Sequence, residues 1–408
     1  MSPRIGIRRG ERCLARFPTP LEADKSGQHR MRTGRRRAAA LLPNCFLEAP
    51  TEFVNCGRVP RFIPLRCLSL VFGLVGAWEC HTLGGPGPTT DSDSVRLGAL
   101  VAMEGIMGRL PGGERRCPLD VQVESETDAG TYLRQWLSYQ SEPGDRVPAY
   151  LLIPKTARGT RVRRFPAVLA LHQTHAAGQK VVVGLGQSPD DEYGVELVER
   201  GYVVLAPPYT LLANYQPDLR ALGWESGTLK AVRNNIRGLD LLSGLPYVRT
   251  NGFGSIGHSL GGHNGLFTAA FDPRLRAVVS SCGFDSFRDY YDGDPAVWGP
   301  ERGWCQTRYM PRLAAYAGRL DQVPFDFGDV LAAIAPRAVF VNAPLQDANF
   351  RWRSVDRVVA GVRSRYEAAG VGERLVVVHP DSKHRFPPEV RQSAYAFLDR
   401  WVDLGLSK

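Results

Sequence analysis

Residues 253–264 read FGSIGHSLGGHN. The run FGSI looks like the end of a buried strand, the pentapeptide Gly257-His258-Ser259-Leu260-Gly261 follows at once, and the residues after it suit a helix. A strand that passes through G-x-S-x-G into a helix holds its serine on a strained turn with the hydroxyl exposed, and glycine at both flanks leaves room for that turn. The pentapeptide alone is weak, because glycine fills 43 of 408 positions. Its position after a strand is what marks Ser259 as a nucleophile, with Gly257, His258 and Gly261 completing the elbow.

Outward from this point, short β-branched apolar runs alternate with segments whose apolar residues recur every three or four positions. Such alternation predicts an α/β protein whose mainly parallel sheet has helices on both faces. Eight strands are expected, over residues 136–140, 149–155, 165–173, 201–209, 253–259, 275–283, 337–344 and 374–380. Most are too apolar for one-sided burial. The last helix should open at Pro387 and Pro388, where no amide donor is required. Residues 284–330 break the pattern with aromatic-rich sequence, including DYYDGDPAVWGPERGW, and read as an insertion after the sixth strand, over one end of the sheet.

A serine hydroxyl becomes nucleophilic only when a base removes its proton, and a third group must orient that base. Asp347 stands in the loop NAPLQDANF after the seventh strand, and His384 in HPDSKHRFPPE after the eighth. Both loops should leave the sheet at the edge that carries Ser259, where open α/β sheets bind ligands. Asp321 is a rival acid but precedes the seventh strand, and His379 and Asp381 compete with His384 from the strand end. The oxyanion needs backbone donors, one from Leu260 and one from the end of LALHQTH, where Gln173 or Thr174 is placed to supply it. His172 and His175, three apart with no third ligand nearby, make a poor zinc site. Neither metal nor cofactor is expected. His258 and His263 flank the elbow as packing or pocket residues, and Cys282 reads as a packed thiol. Trp298, Trp304 and Tyr309 form either a sugar-stacking wall or the insertion's own small core.

GHSLGGHN, APLQDANF, KHRFPPEV and the LALHQT strand end together resemble the α/β-hydrolase superfamily, in the dienelactone hydrolase and acetyl-xylan-esterase-like branch that borders the prolyl oligopeptidases. The resemblance covers residues 130–404 and implies Ser259 as nucleophile, Asp347 as acid and His384 as base. Dienelactone hydrolases proper carry cysteine at the place of Ser259, so a serine esterase is favoured, with a carbohydrate or other small-molecule ester as substrate. A serine peptidase of prolyl-oligopeptidase type and a non-catalytic binding protein on the same scaffold are the alternatives. No propeller-like repeat precedes the domain, which weakens the first, and a complete set of catalytic residues argues against the second.

The net charge of +10 gives no support to a nucleic-acid role once it is located. Residues 1–66 hold 14 Lys and Arg against five acids, so the rest, with 37 bases and 36 acids, is nearly neutral. Residues 1–60, including the run Arg35, Arg36 and Arg37, lack helical or strand periodicity and read as disordered tail. Residues 61–80 resemble a signal peptide, with an uncharged stretch from Cys67 to Trp78 that is short of the roughly 20 residues a membrane span needs. A signal peptide must begin a chain, so translation from Val59 is a consistent alternative start. Export follows if residues 59–80 act in that way, and a cytoplasmic location otherwise. Residues 81–116 read as linker ahead of a catalytic domain at 117–408. Five of the eight cysteines precede residue 81 and none forms a C-x-x-C pair, so no disulfide framework is legible. Oligomeric state is not encoded in any pattern found.

Overall fold

A computed structural model describes residues 91–158 and 164–403, all within the unit His81–Lys408. The expectations for residues 1–60 and 61–80 fall outside these residues. Nine strands form one sheet in the order β1-β2-β3-β5-β4-β6-β7-β8-β9. They are β1 (Gln122–Asp128), β2 (Tyr132–Glu142), β3 (Asp145–Pro154), β4 (Ala167–Leu171), β5 (Val203–Ala206), β6 (Phe253–His258), β7 (Leu275–Ser281), β8 (Ala338–Asn342) and β9 (Leu375–Val378). The first three form an antiparallel meander that joins β5 antiparallel, and all pairings from β5 to β9 are parallel.

The strand beyond the expected eight is β1, QVESETD, every residue of which is exposed. It has no apolar face to register as a pattern. Its acids suit an edge that must not pair with another chain.

In contrast, β4, β5, β6 and β8 are buried along their whole length. Alternate residues of one strand enter two separate cores: Leu169 and Leu205 face one, Val168 and Val204 the other. The first core lies under α3 (Gly227–Gly244), α4 (Leu260–Phe271), α5 (Phe327–Ile334) and α6 (Trp352–Ala368). The second lies under α2 (Tyr193–Glu199) and α7 (Pro388–Leu398). Each fully buried Val or Leu contributes about 1.5–3 kcal/mol relative to exposure. Slipping any central strand by one residue would exchange its residues between the two cores.

Residues 81–116 are not simply linker, because α1 (Asp91–Met107) occupies their centre. Glycine and proline at 84–88 and 111–113 dominate the sequence signal, and Gly98 and Gly105 weaken the helical pattern between them. The helix lies against α4 and α5 and buries Met103 and Met107 completely. Arg96 donates to the carbonyls of Ala270 and Phe271 at the C-terminal end of α4, at 3.2 and 3.1 Å, where a cation also complements the helix dipole.

No helix among the described residues is long and apolar enough to cross a membrane. If α1 belongs to the fold, Met103→Ala costs roughly 2–5 kcal/mol of stability. Urea unfolding checks this, and an unchanged midpoint would show that α1 contributes nothing.

Candidate active site

Ser259 follows β6 directly and adopts φ 53° and ψ −120°. A non-glycine residue there costs about 1–3 kcal/mol and persists only when its surroundings hold it. The Ser259 amide donates to the Ser281 carbonyl at 2.7 Å, and the Ser259 carbonyl accepts the His263 amide at 3.1 Å. A Cβ on Gly257 would stand 2.2 Å from the Gly261 carbonyl carbon, and one on Gly261 only 1.9 Å from the Leu171 oxygen. Glycine is therefore required at both flanks by contact, whatever the turn itself demands. Leu260 begins α4, so the first amides of that helix face the serine, where a developing negative charge is favoured.

His384 Nδ1 lies 2.8 Å from Asp347 Oδ2. The other oxygen, Oδ1, accepts the amides of Asn349 and Phe350 at 2.8 and 3.1 Å. Burial raises the Asp347 pKa, but the His384 hydrogen bond and charge and these two amides outweigh it, leaving the carboxylate below its ordinary value. The acid is thus ionised at neutral pH and accepts from Nδ1–H, which leaves Nε2 of His384 as the free nitrogen. The ring of His384 sits 4.9 Å from that of His258 and 5.8 Å from that of Phe350. The rivals lie elsewhere: His379 bonds the Ala343 carbonyl and Asp356, Asp381 accepts from Gln346, and Asp321 is exposed.

A cleft of about 120 Å³ opens at Ser259. Thr174, Ser259 and Leu260 form one side, and the rings of Tyr290, Trp304, Tyr309 and Phe350 close around it. Of the two expected loop residues, Thr174 lines this cleft, whereas Gln173 does not, and its Oε1 is buried without a hydrogen-bond partner. His172 Nδ1 lies 2.7 Å from the Gln173 carbonyl, and its Nε2 accepts the Tyr209 amide at 2.8 Å. Burial lowers the His172 pKa to about 4, so the ring is neutral, with its one proton on Nδ1. Both nitrogens are thereby engaged, against any pairing with His175 on a metal.

His258 is buried with Nδ1 3.0 Å from Ser281 Oγ, and burial together with the His384 charge drives its pKa down to about 3. His263 is fully buried and stacks on Trp304 at 4.4 Å. The aromatic insertion therefore has two parts. Trp298 is wholly buried in core, while Trp304 and Tyr309 join that core to the cleft.

Tyr290, Gln306, Asn349 and Phe350 line the cleft without having been singled out in the sequence. Only their proximity to the insertion and to Asp347 carried a signal. Cys282 also proves closer to the site than a packed thiol suggests. Its sulfur, the Asp347 carboxylate and the His384 imidazole lie within 4.8 Å of one another. Burial and the Asp347 charge hold the thiol protonated, and it donates to the Arg385 carbonyl at 3.5 Å.

The strand order, the turn at Ser259 and the loops after β8 and β9 define an α/β-hydrolase fold. No family model matches the chain. YtaP of Bacillus subtilis (strain 168), described as a hydrolase, is 23% identical over 308 residues, which span 73% of this chain and 96% of YtaP. A glucuronoyl esterase from Solibacter usitatus superposes with a TM-score of 0.58 at 18% identity, covering 74% of this chain and 91% of that one. A carbohydrate esterase family 15 glucuronoyl esterase from Caldicellulosiruptor kristjansonii gives 0.56 at 19% identity, covering 76% and 84%. At these identities the likeness establishes the shared fold.

Asp285, four residues beyond β7, is buried, with Oδ2 accepting the Arg351 amide at 3.2 Å and Oδ1 lacking a partner. Burial pushes its pKa up to about 8, with Asp289, Asp326 and Asp347 adding to the rise. The raised value means the folded state holds a proton that the unfolded chain loses near pH 4. Stability attributable to this group is therefore greatest below pH 4 and declines as pH rises to about 8. Asp285→Asn keeps the acceptor and removes the charge. Its melting temperature should exceed that of the parent by a margin that grows from pH 4 to 8 and then levels; a constant margin would exclude the shift.

Proposed function

We propose that this protein is a serine carboxylic-ester hydrolase acting on acyl esters of carbohydrates. One observation carries the reading: a strained serine at a helix N-terminus opens into a cleft beside a hydrogen-bonded Asp347–His384 pair whose carboxylate is buried and whose imidazole is part-exposed. Ser259 Oγ attacks the ester carbonyl while His384 Nε2 takes its proton. Asp347 holds the imidazole through Nδ1 and stabilises the imidazolium, without itself taking the proton. The tetrahedral oxygen is received by the amides of Leu260 and Thr174. His384 then gives its proton to the departing alcohol oxygen as the carbon–oxygen bond breaks. In the second half a water attacks the acyl-Ser259 ester with His384 again as base, releasing the carboxylic acid and restoring the serine.

His172 supports the second oxyanion donor. A trans peptide points its C=O and N–H in opposite directions, so pinning the Gln173 carbonyl with His172 Nδ1–H also fixes where the Thr174 amide points.

A carbohydrate ester is supported by the fold shared with two glucuronoyl esterases, and by the size of the cleft. At about 120 Å³ it lies below the approximately 300–1,000 Å³ of pockets that engulf a whole ligand. A cleft of this size suits a short acyl group, with the sugar as the alcohol of the ester lying at its mouth.

On 4-nitrophenyl esters from acetyl to octanoyl, kcat/KM should be highest for acetyl and fall steadily with chain length. Ser259→Ala should reduce the acetyl rate on the order of 10⁴-fold or more, with an unchanged melting temperature. Hydrolysis of aminoacyl anilides in preference to acetyl esters would refute the esterase assignment.

A further inference from the structure

We infer that Tyr291 is the platform on which the sugar ring of the leaving alcohol stacks, an inference that rests on the ester-hydrolase reading above. With the cleft filled by a short acyl group, the alcohol lies across its rim. Carbohydrate rings bind aromatic faces through their C–H edges, so the platform must be an aromatic ring with a free surface.

Of the rings inside the cleft, Trp304 and Phe350 do not qualify. Trp304 stacks on His263 at 4.4 Å with 13° between planes, and lies within 14° of parallel to Phe350 at 6.0 Å. Trp304 and Phe350 are both buried. Tyr291 is 48% exposed, and its neighbour Tyr290 lines the cleft.

Three features hold Tyr291 where a sugar would need it. Its hydroxyl donates to Asn349 Oδ1 at 3.2 Å, and Asn349 lines the cleft two residues from the catalytic acid. Its ring meets Tyr290 edge to face at 4.7 Å. Its backbone, with that of Asp292, is left-handed at φ 48° and 57°, followed by Gly293 at 68°. Consecutive non-glycine residues in that region are unfavourable, and such strain concentrates at ligand clamps. A bidentate ion pair between Asp292 and Arg351 ties the strained turn to the loop that carries Asp347.

The cleft is lined by neutral side chains, which suit a neutral pyranoside.

The test compares an acetylated methyl xyloside with ethyl acetate, which has the same acyl group and no ring, following acid release in a pH-stat. Tyr291→Ala should raise KM for the xyloside about tenfold with kcat nearly unchanged, and leave ethyl acetate hydrolysis unaltered. Tyr291→Phe, which keeps the ring, should retain most of the parent KM. Equal losses on both esters, or no loss on either, would overturn the platform. If the unaltered protein hydrolyses neither ester, the hydrolase reading itself fails, and the platform falls with it.

Discussion

The site depends on one steric contact, the approach of Gly261 to the Leu171 carbonyl. A single methyl group at Gly261 would lie 1.9 Å from that oxygen, which also accepts the Tyr193 hydroxyl at 2.5 Å. The start of α4 is thereby pressed against the C-terminal end of β4. That closeness sets the gap between Leu260, on the helix, and Thr174, three residues beyond the strand. In the proposed mechanism the oxyanion donors come from these two segments, which are held together by bare backbone against backbone. The strained turn at Ser259 is the conformational cost of this arrangement, held by its hydrogen bonds to Ser281 and His263.

The proposed acid and base are placed by an equally rigid device. Asn342 at the end of β8 pairs with Val378 at the end of β9, and the pairing continues past both strands. Ala343 donates to Val378 at 2.9 Å, Leu345 to Pro380 at 3.0 Å and Gln346 to Ser382 at 3.0 Å. The Asn342 side chain adds a bond to the Arg385 carbonyl at 3.0 Å. Two loops zipped together in this way deliver Asp347 and His384 at a set separation before their side chains meet. Across the sheet, Leu171 pairs with Gly257, His258 with Ser281 and Ser281 with Asn342, so every loop of the site leaves from one line.

Legibility in the sequence followed burial. The central strands could be read because both faces are buried and their composition is therefore almost purely apolar. Loop position relative to a legible strand set Asp347 and His384 apart from Asp321 and His379, and the structure brings that pair into a hydrogen bond. β1 was invisible because it buries nothing, and α1 because glycine and proline on either side outweighed its apolar residues. The cleft wall was harder. Tyr290 reaches the cleft from an insertion with no periodicity and Phe350 from the loop after β8, and aromatic residues that line a cleft have the same composition as those that fill a core. Trp298 and Trp304, six residues apart, fall on opposite sides of that distinction.

The central claim is that the fold activates one serine among all those in the chain. Incubation with a fluorophosphonate, followed by proteolysis and mass spectrometry, measures this directly. The account predicts a single adduct per chain on the peptide containing Ser259, with labelling slowed by His384→Ala, which leaves the serine in place but without its base. An adduct on any other serine, or none under conditions where the protein is folded, would contradict it.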